Sequence, residues 1–459
     1  MANFSLSLLE DGSPSATAAQ KLLLYLESSR PRTCQGPIFA LVIAYRLMGE
    51  LDTTALAEAL HQLWRAHDGL RLGKAGSNQE VHPADGRLEL LECKQIQFQE
   101  KQTHADAIAA FLASEQMRPF ELSMPALVRA VAGEIAPRDH VLCFSVHCCA
   151  ADGHALDLLM EELAAKYDAA KHPGADVIPF KPAAPSPVKT ADGPCEMDSI
   201  GHWQKHFREA PPLPRQALGM EPLNDGPSEN TATVVADLDH DGSSAVRELA
   251  SAMQVTPFII GLAGWAGWLN KRTGSADFPV STITLARRTP EQEAEIASYL
   301  DLLLLRIRYA SRTSFLVLVN EVRESVMDAL DLYVPMWELL SRVPELRGII
   351  SDPNALLLPF QFLPRNAPSP ITRFGNCRAG LLGRFVSRNA GFSLPFDGLL
   401  TMKERDRHYT LSLEYRTQVM APANAHGILT SFRDFLGAAV KAPYGSLHSC
   451  DATELERRS

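Results

Sequence analysis

Between residues 141 and 171 the pattern passes from apolar to polar to helical without a spacer, and this unit limits the fold more than any other segment. Val141-Leu142-Cys143-Phe144-Ser145-Val146 is largely apolar and reads as a strand. It stops at His147-Cys148-Cys149-Ala150-Ala151-Asp152-Gly153-His154, a turn that carries imidazole, thiol and carboxylate groups. From about Ala155 to Ala170, Leu156, Leu159, Met160, Leu163 and Tyr167 recur on one side of a helix, with Asp157, Glu161 and Lys166 on the other. Chemistry is often held at a strand end of this kind.

A chain of 459 residues exceeds what one hydrophobic core usually supports, which predicts two domains or more. With 46% hydrophobic and 21% charged residues, it has the composition of an ordinary globular protein. The formal net charge of −10 leaves no basic footprint and argues against nucleic-acid binding. No run of about 18 apolar residues is present, and Met1-Ala2-Asn3-Phe4-Ser5 lacks the features of a signal peptide, so a cytoplasmic protein without a membrane segment is expected.

Eight cysteines, at 34, 93, 143, 148, 149, 195, 377 and 450, form no CxxC pair. They read as free thiols of a reducing compartment. No metal site is predicted: Cys148 and Cys149 are adjacent, and would project in opposite directions if the strand continued through them.

The fold class read from the pattern is α/β, with helices and strands interleaved in both halves. Leu56, Leu60, Leu63 and Trp64 keep helical spacing after Asp52-Thr53-Thr54. The first lobe is expected over 1–180 and the second over 228–459. Between them, 181–227 reads as an extended, proline-rich crossover, with Pro182, Pro185, Pro187 and Pro194 breaking periodicity. In the second lobe, 243–253 reads as a helix. Thr256 and Pro257 then cap and open a helix from Phe258 to Asn270. Strands are expected over 278–285, 355–363 and 407–416, and helices over 312–330 and 428–440.

His147 to Asp152 and Gly153 has the spacing of the HHxxxDG signature and resembles that of the condensation-domain superfamily. Those proteins are the acyltransferases of nonribosomal peptide synthesis, with chloramphenicol-acetyltransferase-like relatives. Other segments agree in order and rough spacing. Ala19-Gln20-Lys21-Leu22 and His67-Asp68-Gly69-Leu70-Arg71 resemble two early motifs, the second with Ala66 in place of its leading arginine. Arg118-Pro119-Phe120-Glu121-Leu122 and Pro125-Ala126-Leu127-Val128-Arg129 resemble the stretch before the central histidines. Thr256-Pro257-Phe258, Ala286-Arg287-Arg288-Thr289-Pro290-Glu291, Leu302-Leu303-Leu304-Leu305-Arg306, Pro335-Met336-Trp337-Glu338 and Leu413-Glu414-Tyr415 resemble the later ones.

The resemblance implies two chloramphenicol-acetyltransferase-like lobes forming a V-shaped pseudo-dimer, with the active site in a tunnel between them. It implies catalytic positions at His147, Cys148, Asp152 and Gly153, with Cys148 standing where the family has its second, catalytic histidine. Asp152 is expected to form a structural ion pair with Arg287 and tie the turn to the other lobe. His147 is expected to point into the core, Gly153 to let backbone approach substrate, and His154 to be the auxiliary imidazole. No cofactor or metal is implied, because the acyl groups ride on the phosphopantetheine of partner proteins. The implied partners are acyl or peptidyl carrier proteins acting in trans, together with a small amine or hydroxyl acceptor. A free-standing monomer is expected.

An imidazole near neutral pH can serve as base or orienter, whereas a thiol with a reference pKa of about 8.5 is mostly protonated and hydrogen-bonds weakly. Losing a positioned acid-base group lowers rates by ~10² to ~10⁴-fold. Three readings follow. The first is a condensation enzyme that forms an amide or ester without a strong base. The second is an acyltransferase in which Cys148 takes the acyl group as a thioester. The third is a catalytically impaired relative that docks carrier proteins or recruits a partner.

Overall fold

A computed structural model describes residues 17–29, 40–75, 78–86, 88–98, 102–116, 118, 120, 125–171, 194–220, 231–308, 314–352, 354–365, 371–386 and 396–447. The first elements are α1 (Ala18–Ser29), β1 (Ala40–Met48), α2 (Thr53–Ala66), β2 (Leu72–Ala75), β3 (Asn78–Val81) and β4 (Leu91–Gln95). Then follow α3 (His104–Gln116), β5 (Val128–Ala136), β6 (Asp139–His147), α4 (Gly153–Lys171) and α5 (Pro194–Phe207). Next come β7 (Thr231–Asp237), α6 (His240–Met253), α7 (Pro257–Thr273), β8 (Asp277–Leu285), α8 (Pro290–Ala294) and β9 (Leu300–Arg308). The remainder are α9 (Phe315–Asp331), α10 (Met336–Arg342), α11 (Pro344–Ser351), β10 (Phe360–Leu363), β11 (Arg373–Phe374), β12 (Cys377–Val386), β13 (Gly398–Glu404), β14 (Tyr409–Arg416) and α12 (Pro422–Lys441).

Among the described residues, β2 and β3 pair with each other, and two larger six-stranded mixed sheets run in the orders β11-β12-β1-β6-β5-β4 and β7-β14-β13-β10-β8-β9. In the first, β6 lies antiparallel between β1 and β5, and every one of its residues is buried. Its alternation sorts the side chains to two faces. Leu142, Phe144 and Val146 enter the core under α2 and α4, whereas Val141 and Cys143 enter a second cluster with Ile108 and Leu112 of α3. The other sheet packs against α6, α7, α9 and α12 in the largest core. Among the described residues no single helix is long and apolar enough to cross a membrane.

Helices expected from periodicity form where their caps place them. Asp52 accepts from the amides of Thr54 and Ala55 at the start of α2. Pro257 opens α7, which ends on Gly274 in the left-handed conformation.

Three expectations need correction. The 181–227 segment is not extended throughout: 194–207 is α5, opened by Pro194, where a missing amide donor is tolerated. Ile200, Trp203 and Phe207 of α5 lie in the largest core, and the Trp203 indole N–H donates to the Leu332 carbonyl at 2.9 Å. Residues 181–193 and 221–227 of that region, like 312–313 of the helix expected over 312–330, lie outside the described residues. The strand expected over 355–363 is confined to 360–363, with Ala355 making a single bridge to Pro214. Pro359 interrupts the stretch, since it has no N–H for a ladder. Finally, the first sheet is not built from the N-terminal third alone. β12 pairs antiparallel with β1 and completes that sheet from far down the chain. Phe374, Cys377 and Ala379 bury their side chains in its core.

Candidate functional site

The strand ends at His147, where the ladder partner of its last residue is Ala40 of β1. The backbone then folds back on itself: the amides of Ala150 and Ala151 donate to the His147 carbonyl at 2.8 and 3.3 Å. The turn is pinned from outside as well. The His147 amide donates to the Leu127 carbonyl at 2.9 Å, and the Gln20 side-chain amide of α1 donates to the Cys149 carbonyl at 2.8 Å. Gly69 lets another segment pass close by, since a Cβ there would sit 3.3 Å from the Ala150 oxygen.

Asp152 closes the turn and caps α4, accepting from the Ala155 amide at 2.8 Å through Oδ1. Its Oδ2 accepts from the Tyr299 amide at 2.9 Å. Arg287 meets both oxygens, Nη2 donating at 3.0 and 2.9 Å and Nε at 3.2 Å. The rest of the guanidinium is held by the carbonyls of Gln292, Glu295 and Ala297, and it stacks 4.7 Å from the Tyr299 ring centroid. Both side chains are almost wholly buried, at 0% and 2% exposed. A buried pair with this many hydrogen bonds fixes geometry, since removing one partner strands the other charge. The pair joins the turn after β6 to the segment between β8 and β9.

The imidazole and thiols lie together. A ring nitrogen of His147 and the sulfurs of Cys148 and Cys149 all lie within 4.8 Å of one another. His147 continues the face of Val141 and Cys143, and its ring sits edge-on to Phe120, 6.0 Å between centroids. The Cys149 amide donates to its Nδ1 at 3.2 Å, so that nitrogen acts as an acceptor. The Cys149 thiol is held well below its usual range, chiefly by the hydrogen bond from Cys148. Burial opposes that shift, and the nearby His147 ring reinforces it. Leu23 and Leu41 cover the two cysteines.

This overturns one expectation from sequence. Adjacent cysteines point apart, and drop out as joint ligands, only if the strand continues through them; the strand stops at His147, and the turn that follows brings both thiols within 4.8 Å of the His147 ring nitrogen. Cys149 is the residue that sequence reasoning passed over. Its signal would have been the small residues Ala150 and Ala151, which suit a tight turn. Gln20 lies in a segment noted for its resemblance, but its bond to the Cys149 carbonyl was not foreseen.

Gly153 is exposed, and a Cβ there would meet nothing within 4 Å, so its bareness faces open space. His154 is turned to α8, its Nε2 hydrogen-bonded to the Glu293 carbonyl at 2.7 Å and 3.4 Å from the Glu293 carboxylate. It does not belong to the cluster of His147, Cys148 and Cys149. Nearby, His67 and Glu162 form a buried pair at 2.7 Å that ties the end of α2 to α4.

The family profile of the condensation domain matches residues 12–458. Phosphinothricin tripeptide synthetase PhsC of Streptomyces viridochromogenes is 26% identical over 428 residues, covering 90% of this chain. The chain spans only 38% of the length of that synthetase. Among solved structures, SgcC5 of Streptomyces globisporus superposes with a TM-score of 0.76 at 22% identity, covering 94% of this chain and 99% of that one. The X-domain from teicoplanin biosynthesis superposes with a TM-score of 0.77 at 20% identity, covering 95% and 97%, and has also been solved in complex with OxyB. With two sheets arranged as in those structures and a profile match over nearly its whole length, the chain belongs to the condensation-domain family.

Proposed function

We propose that this chain is a stand-alone condensation-type acyltransferase, forming an amide or ester between a carrier-bound acyl thioester and an amine or hydroxyl acceptor. The observation that carries the reading is the Asp152–Arg287 clasp, which keeps the turn at 147–153 fixed where the two halves meet. The acceptor lone pair attacks the thioester carbonyl, the new C–N or C–O bond forms as C–S breaks, and the acceptor proton ends on the released thiol. With a thiol at position 148, the protein contributes orientation instead of strong base catalysis. Orientation alone is a large effect, since effective molarities for well-placed reactants reach ~10⁵ M or more. The bare face at Gly153 leaves room for a substrate arm beside the helix start.

The covalent reading has no comparable support. Thioester formation at Cys148 requires a base aimed at its own thiol, whereas the imidazole at the turn is engaged with Cys149.

A second reading rests on the same position. Cys148 is packed beneath Leu23 and donates to its neighbour, and no imidazole stands in its place. The X-domain, solved with OxyB, has the same fold. On this reading the chain docks carrier proteins or recruits an enzyme.

The deciding experiment compares the natural protein with Cys148→His, using acyl-carrier thioesters, amine acceptors and mass-spectrometric detection of product. The acyltransferase reading expects transfer by the natural protein, and a gain of up to ~10²- to ~10⁴-fold from the restored imidazole. No product from either protein, together with tight binding of a carrier protein, would leave the docking reading standing.

A further inference from the structure

We infer that His147, Cys148 and Cys149 form a binding site for a thiophilic divalent metal ion, zinc in the first instance. The three donors are an imidazole nitrogen and two thiol sulfurs, all within 4.8 Å of one another. A tetrahedral zinc with Zn–S of about 2.3 Å and Zn–N of about 2.0 Å sets its donors about 3.4–3.8 Å apart, so the cluster has to close by about 1 Å. The backbone that carries it is already fixed, by the Ala150 and Ala151 amides on the His147 carbonyl and by Gln20 on the Cys149 carbonyl.

The ligand chemistry matches the surroundings. Nδ1 of His147 carries a lone pair, and binding exchanges its long 3.2 Å bond from the Cys149 amide for a metal bond. Two thiolates, a neutral imidazole and a divalent ion sum to zero charge. That balance matters beside Leu23 and Leu41, where His147, Cys148 and Cys149 are 4%, 8% and 5% exposed. Two buried thiolates without a cation would be strongly disfavoured there, and the ion is what permits both to ionise. Three protein donors leave the fourth position to water or a small exogenous donor, as in zinc sites that are not purely structural. Softness of the donor set disfavours magnesium and calcium.

The site is independent of whether the chain transfers acyl groups, so its test reads metal and not product. Reduced, metal-free protein is titrated with zinc against a chromophoric chelator, and separately with cobalt(II). The expected result is one tightly bound equivalent, with a sulfur-to-cobalt charge-transfer band in the near ultraviolet. Cys148→Ser and Cys149→Ser should each weaken zinc binding by at least ~100-fold, more than loss of an outer-shell partner does. Cys93→Ser, at an exposed cysteine, should leave it unchanged. Far-ultraviolet circular dichroism and the thermal transition identify variants that keep the fold. If one cysteine variant does not fold, the other and the cobalt spectrum of the natural protein decide. A folded natural protein that takes up no zinc, or cobalt binding without a thiolate band, overturns the assignment. So does zinc affinity that survives either serine substitution.

Discussion

Asp152 does three jobs with two oxygens: it caps α4, accepts the Tyr299 amide and meets the Arg287 fork. Asp152→Asn keeps the shape but replaces one acceptor by a donor and leaves Arg287 charged and buried. It is expected to lower stability by about 3–5 kcal/mol. Asp152→Ala adds the loss of a helix cap, worth about 0.5–2 kcal/mol. Adding Arg287→Ala to Asp152→Ala should lose less than the sum of the single changes, because the stranded charge is gone. Urea unfolding of the single and double variants measures this, and strictly additive losses would remove the claim that the pair acts as a unit. The pairing was legible in the sequence because two short motifs, far apart, matched a family in which they meet. The gathering of His147 with Cys149 was not. It depends on where the strand stops, and a one-residue continuation would have sent the thiols to opposite faces.

The elements legible in advance were those whose pattern is local. Helices α2, α4, α7 and α12 show apolar spacing or caps within their own residues. β12 was illegible because what makes it a strand is β1, a partner near the other end of the chain. β9 shows a different limit. Leu302 to Arg306 stand out in the sequence, but Asp301, just before them in the strand, is buried and accepts from the Leu302 amide at 2.8 Å, the Tyr333 hydroxyl at 2.5 Å and the Met336 amide at 3.1 Å. Burial outweighs those hydrogen bonds and pushes its carboxyl up to about 6. The folded state therefore holds this proton more tightly than the unfolded chain, whose carboxyl titrates near 3.9. The sign follows from linkage: the site's contribution to stability is full below about pH 4 and is lost as pH rises through about 6. A rise of about two units corresponds to about 3 kcal/mol across that window. Asp301→Asn, which cannot titrate, should be less stable than the natural protein at pH 4 and should lack this decline between pH 4 and 7. Equal slopes for the two proteins in urea unfolding over that range would contradict the assignment.

At the scale of the whole molecule, the two sheets are interleaved in sequence although each has its own core. β11 and β12 complete the first sheet. Ile296, between α8 and β9, enters the first core, while Arg287 reaches Asp152 from the same stretch. α1 works in both directions: Leu22 lies in the largest core, Leu23 lies against the thiols, and Thr17 bonds to the Ser298 carbonyl at 3.4 Å. A division of the chain near residue 227 therefore separates parts of one sheet and one core, and the two parts are expected not to fold independently. The fragment 1–227 would expose the edge of β1 that β12 covers and open the core at Ile296. It would also bury Asp152 without its cation. Unpaired apolar edges of this kind associate with other chains. The fragment alone is expected to be protease-sensitive and prone to aggregation, whereas co-expression with 228–459 should give a soluble complex in which both fragments co-purify and resist digestion. A fragment 1–227 that by itself unfolds cooperatively, with native near-ultraviolet circular dichroism, would show that the first sheet needs nothing from the second half. The clasp between Asp152 and Arg287 would then have no part in holding the first half folded.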